Sequence, residues 1–128
     1  MLNRSGISKT TLTATKQILA NVELQSSVGC IVPQTLGATV GNKKIVKAGT
    51  PIKVDLMKLQ TAAVKADGTT AMNAVVLHDV DVTDGNANGT ALIFGFVNVN
   101  RVDSDVAAAI TTAVGATGAS KQITFMKA

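Results

Sequence analysis

Few groups in this 128-residue chain could do chemistry. Its one cysteine, Cys30, and its one histidine, His78, are the residue types of a thiolate nucleophile and its base. Cys30, between Gly29 and Ile31, reads instead as a small buried apolar residue. His78 alternates onto one face with Val76, Val80 and Val82 and reads as a satisfied core or interface residue; no second His or Cys lies nearby to make a metal site. Asp79 and Asp81 could form an acid/base pair only if one were desolvated so that their pKa values moved apart. At the polar end of a hairpin they read as groups that solvate one sheet face.

The loop Asp84-Gly85-Asn86-Ala87-Asn88-Gly89 fits the first half of a calcium-binding loop, but the twelfth position, which should be a bidentate Glu, is Gly95. It reads as a hairpin tip whose glycines take positive φ. Residues 37–44, GATVGNKK, have the wrong spacing for a phosphate loop, and no G-x-S-x-G elbow is present. No enzymatic activity, cofactor or metal is expected from these residues.

The elements that would position them centre on residues 74–100. Ala74–Val82 and Ala91–Val99 read as two strands joined by a polar tip, with Val76, Val80, Ile93, Phe94 and Phe96 as the scaffold of the hairpin. The second strand is apolar on both faces, which predicts cover on both sides and a core centred on its two Phe. Residues 23–42 carry Gly29, Pro33, Gly37 and Gly41 and read as loop with short extended pieces. Lys44–Ala48 and the alternation Ile52, Val54, Leu56 read as two short strands around the turn at Gly49-Thr50-Pro51. Asp103 or Ser104 caps the one expected helix, whose apolar positions Val106, Ile110 and Val114 end at Gly115. Residues 123–125 read as a last strand.

Residues 1–22 mix Ser and Thr with the spaced cations Arg4, Lys9 and Lys16 and read as an extended arm, with an ordinary first strand of the domain as the competing reading, leaving residues 23–128 as one β-rich domain. Residues 1–60 carry eight Lys and Arg against two Asp and Glu, and residues 61–128 carry four against six. The basic first half suits an acidic partner surface. The cations are scattered, and the absence of Trp and Tyr removes the usual stacking platform for nucleic acid. No signal peptide or membrane span is visible, so folding in the cytoplasm is the expectation.

The order of several short motifs resembles the head decoration proteins of tailed bacteriophages, the group similar to the lambda capsid-stabilising protein. The motifs are Gly49-Thr50-Pro51-Ile52, the strand Val76–Val82, Gly95-Phe96-Val97-Asn98, the Ala-rich helix, and Ile123, Phe125 and Lys127 at the close. The likeness covers roughly residues 43–127; the long N-terminal segment and the lack of Trp and Tyr depart from it. The resemblance implies a mainly β, small β-barrel-like (β-tulip-like) domain with one short α-helix and an N-terminal extended arm. It implies a non-enzymatic virion protein on the outside of an expanded capsid, often a homotrimer, whose arm lies on the major capsid protein. Arg4, Ser8, Lys9, Thr11 and Lys16 are then the candidate arm contacts. A head-fibre base or neck protein is the alternative, and a nucleic-acid-binding module a more distant one.

Overall fold

A run of Thr, Ala, Leu, Ile, Phe and Val with no proline favours extended backbone, and in the computed structural model, which describes residues 17–21 and 23–127, it forms the longest strand. The strands are β1 (Ser26–Val32), β2 (Ala38–Val40), β3 (Lys43–Val46), β4 (Pro51–Lys53), β5 (Val64–Lys65), β6 (Ala74–Val76), β7 (Val80–Asp81), β8 (Ala87–Asn98) and β9 (Ile123–Met126). One helix, α1 (Ser104–Val114), lies between β8 and β9, and 3-10 turns occupy Gln34–Leu36 and Val99–Arg101. A six-stranded sheet has the order β1-β8-β6-β4-β5, with β9 parallel to β8, and a three-stranded sheet has the order β2-β3-β7. The architecture is mainly β with one helix, as expected.

The sheets stay open, which corrects the expected barrel. The ends of the large sheet meet at one point only, a bridge between Ile31 and Ala62 in which Ala63 N–H donates to Ile31 O at 2.9 Å. One bridge does not close a barrel, because closure needs a ladder along the whole seam.

Side-chain alternation along the middle strands divides the apolar residues into two clusters. Val75 and Leu77 join Leu92, Val97, Met72, Ala113 and Ile123 on the helix side. Ala74 and Val76 join Ala91, Cys30, Ile52, Val46, Val80 and Val82 on the side of the small sheet. The middle strands are therefore covered on both faces, as their double apolar pattern implies.

The core does not centre on the phenylalanines. Between Ser26↔Phe94 and Ser27↔Leu92 the ladder skips Ile93, so β8 carries one extra residue there. The extra residue reverses the alternation: Leu92 faces the helix-side cluster before it and Val97 faces the same cluster after it. Phe94 is consequently exposed and Phe96 half-buried.

Other departures have equally local causes. Residues 74–82 are not one strand: β6 pairs with β8, while β7 crosses to pair with β3, so the expected hairpin is confined to Val75, Val76 and Leu77, which meet Leu92, Ala91 and Thr90. β3 and β4 lie in different sheets and do not pair; the chain changes layers through Gly49, whose φ is 94°. A Cβ there would lie 2.7 Å from Val102 Cγ1, so only glycine lets the Val102 and Val106 side chains close over the turn. β1, expected as loop, is a seven-residue strand. Helix α1 buries Val106, Ile110 and Ala113, and Val114 is exposed. At about 100° per residue, a position seven on from Val106 returns to its stripe and one eight on overshoots it.

Residues 18–20, expected as the end of an extended arm, are part of the packed structure. Leu19 bridges Val97, Ala20 N–H donates to Phe96 O at 2.9 Å, and Asn98 N–H donates to Ile18 O at 2.8 Å. Ile18 is wholly buried and Leu19 nearly so.

Candidate interaction surface

Of the titratable groups singled out in the sequence, Asp79 and Asp81 are spent on holding the chain together. Cys30 is buried in the cluster between the sheets, and burial pushes its thiol up, away from the thiolate a nucleophile requires. Asp79 accepts a hydrogen bond from Ala48 N–H at 2.8 Å and so fixes the end of β3. Asp81 accepts from both the hydroxyl (2.6 Å) and the N–H (2.9 Å) of Thr83, which hold its carboxyl below the usual carboxylate range. The same Thr83 hydroxyl oxygen accepts from Lys44 N–H at 2.9 Å. His78 is half-buried, and its Nδ1 is enclosed without a hydrogen bond, which corrects its expected satisfied state.

The hairpin tip is shorter than its turn dipeptides suggest. Gly85 takes φ 138°, but Asn88 and Gly89 lie inside β8 opposite Ile31 and Cys30. Gly89 does not serve a turn; a Cβ there would stand 2.7 Å from Val32 Cγ2 and 3.0 Å from Val80 Cγ2. Asn86 Oδ1 accepts from Gln34 N–H at 2.9 Å, and Gln34 Nε2 donates to Thr83 O at 3.0 Å. Of the half-pattern for calcium, Asn86 is taken up by a loop contact and Asn88 lies in β8. Among the described residues no group of three His, Cys, Asp or Glu is placed to hold a metal. No described helix is long and apolar enough to cross a membrane.

The surface carries exposed apolar groups in two places. Of the expected scaffold residues, Val76 and Val80 share the cluster between the sheets with Ile93 packed against it, although Val80 reaches it from the small sheet. Phe94 stands outside, opposite Ser26 in the ladder, with exposed Leu24 two residues before that serine. The expected arm contacts Arg4, Ser8, Lys9, Thr11 and Lys16 lie outside the described residues. The described structure begins at residue 17, with the anchored Ile18 beside Asn98, four residues along β8 from Phe94.

A second exposed apolar region was not expected. Leu56, read as the inward continuation of Ile52 and Val54, is half exposed; Met57 is 91% exposed and Val64 51%. β4 ends at Lys53, and Asp55 Oδ1 accepts from Met57 N–H at 3.0 Å, turning the chain outward. The signal available in the sequence was Asp55 itself, since an Asp that binds the amide two residues on ends a strand. Between this loop and β5 runs a groove of about 440 Å3 lined by Lys53, Val54, Leu56, Ala62 and Val64, with Asp55 on its wall.

The chain matches neither the protein-family models nor the curated proteins with which it was compared.

Proposed function

We propose that this chain is a structural virion protein that binds the outer surface of an expanded phage capsid and stabilises the lattice of the major capsid protein. The observation that supports it best is the anchoring of residues 18–20. Ile18 is buried in the core and two backbone hydrogen bonds tie the segment to β8, so residues 1–16, which carry Arg4, Lys9 and Lys16, are joined to the domain at a fixed point. A cationic segment held at one end loses less entropy on docking than a free one. Part of the element order of the resemblance is present: the Gly49 turn opens β4, and β8, α1 and β9 follow, while the expected strand Val76–Val82 is divided between β6 and β7.

In this role each copy makes modest contacts to several capsid subunits, and self-association into a trimer multiplies them into avidity. A protein that binds only the expanded lattice stabilises that lattice by mass action. The role requires no bond making or breaking.

The test is co-sedimentation of the purified chain with expanded heads that lack it, titrated to saturation. Saturable binding at many copies per head is the expected result. Binding at only a few sites would favour a neck or fibre-base protein instead, and no binding would remove the capsid role.

A further inference from the structure

We propose that the free edge of β1 pairs with the β1 edge of a second copy of this chain, joining two large sheets across a twofold axis. β1 is the last strand on its side of the large sheet. Ala63 N–H donates to Ile31 O on the side away from β8, so by alternation Gly29 and Ser27 also aim their N–H and C=O groups outward. Thr90, opposite Gly29, agrees with that phase, since its carbonyl accepts from Leu77 N–H on the far side of β8. Among the described residues the outward groups of Ser27 and Gly29 have no hydrogen-bond partner, and both residues are exposed.

Sheet edges are ordinarily guarded by short strands, charges, proline or a bulge. The other edge strands, β2, β5, β7 and β9, have two to four residues, whereas β1 has seven. Ser26–Val32 contains no charge and no proline, and the extra residue at the bulge belongs to β8. Only the end at Ile31 is covered, by Ala62 and Ala63.

The open window has the symmetry that a second copy needs. It runs from Ser26 to Cys30 and centres on Val28, with the outward residues Ser27 and Gly29 one step to either side. Antiparallel pairing about Val28 sets Ser27 of each copy opposite Gly29 of the other and joins their outward groups in hydrogen bonds. Gly29 adds no crowding, since even a Cβ there would meet nothing within 4 Å. No like charges are opposed in this register. Any extended strand can use the same backbone groups, but the window's match to itself selects a second copy. A twofold pair closes at two copies, so this contact is distinct from the trimer of the capsid role and does not rest on it.

The test is sedimentation equilibrium of the full chain over a range of concentrations, with amide hydrogen exchange at Ser27 and Gly29. A monomer–dimer equilibrium is expected, and exchange at those two amides should slow as the dimer forms. Ser27→Lys/Gly29→Lys sets like charges opposite each other at two places and should weaken the dimer about tenfold. Ser27→Lys/Gly29→Glu sets opposite charges there and should retain the dimer, which controls for any loss of folding common to the two variants. A chain that stays monomeric in the millimolar range, a trimer without dimer, or exchange at Ser27 and Gly29 that ignores concentration overturns the proposal. So does dimerisation that the like-charge variant leaves unchanged. A monomeric chain whose like-charge variant alone fails to saturate expanded heads also overturns it, and assigns the edge to a capsid strand.

Discussion

Asn73 pairs with Val54 as though it were a strand: its Oδ1 accepts from Val54 N–H and its Nδ2 donates to Val54 O, both at 2.8 Å. β4 has ended one residue earlier, so the side chain extends the sheet's hydrogen bonding past the ladder and holds nearly buried Val54 in the core. Replacing Asn73 by Ala orphans a donor and an acceptor at a partly buried site. The expected loss is about 1–3 kcal/mol in denaturant unfolding. Asn73→Asp should also destabilise, since a carboxylate cannot donate to Val54 O. Wild-type stability in both variants would show that water replaces the amide without loss.

Gly29 and Gly89 sit one rung apart on the paired strands β1 and β8, yet they should respond oppositely to a methyl group. A Cβ on Gly89 collides with Val32 and Val80, so Gly89→Ala is expected to cost about 1–3 kcal/mol. At Gly29 a Cβ meets nothing within 4 Å, and Gly29→Ala should leave stability within about 0.5 kcal/mol of wild type. Thermal melting of the two variants checks the contrast. Equal effects would mean that the sheets separate enough to admit the Gly89 methyl.

These glycines also show where the sequence was legible. A 3.6-residue period with a capping Asp or Ser and a following Gly is a local signal, and α1 appears where it points. β9, with its apolar and β-branched residues, is similarly local. Asn88-Gly89 is a turn signal by type, but packing against Val32 and Val80 claims the glycine for a strand. β1 was hidden for a related reason: Gly29 and Pro33 suggest loop, while the ladder along β8 that makes β1 a strand is non-local. The bulge at Ile93 that turns Phe94 outward likewise depends on register with another strand, so alternation within β8 does not reveal it. The exposed groove escaped because Leu56 continues the pattern of Ile52 and Val54 on paper, while Asp55 ends it in the structure.

Asp81 should make stability depend on acid. Its carboxyl is held low first by the Thr83 hydroxyl and then by the Thr83 N–H. A group with a lowered folded-state pKa contributes stability that is present above its unfolded pKa and is lost as pH falls through the folded value. Asp81→Asn keeps an oxygen for the same two donors but removes the charge. The variant should melt below wild type near neutral pH, and the gap should close as pH drops below the ordinary carboxylate range. A gap that stays constant with pH would assign the effect to packing instead.

Truncation at the N-terminus should separate two boundaries that look equivalent in the sequence. A chain beginning at Gln17 retains Ile18 and Leu19 in the core and both backbone hydrogen bonds to β8. A chain beginning at Glu23 loses all four. Burial of two aliphatic side chains and two ladder bonds together is worth about 4–9 kcal/mol before the cost of ordering the segment, a large part of a small domain's stability of about 5–15 kcal/mol. The longer truncation should therefore unfold at markedly lower denaturant, while the shorter one stays close to the full chain. The difference bears directly on the proposed role. Loss of head binding in a chain starting at Glu23 could reflect unfolding as much as a missing arm. Only a chain starting at Gln17, folded as stably as the full chain and unable to saturate heads, would place capsid binding in residues 1–16. If it saturates heads normally, binding resides in the described surface instead.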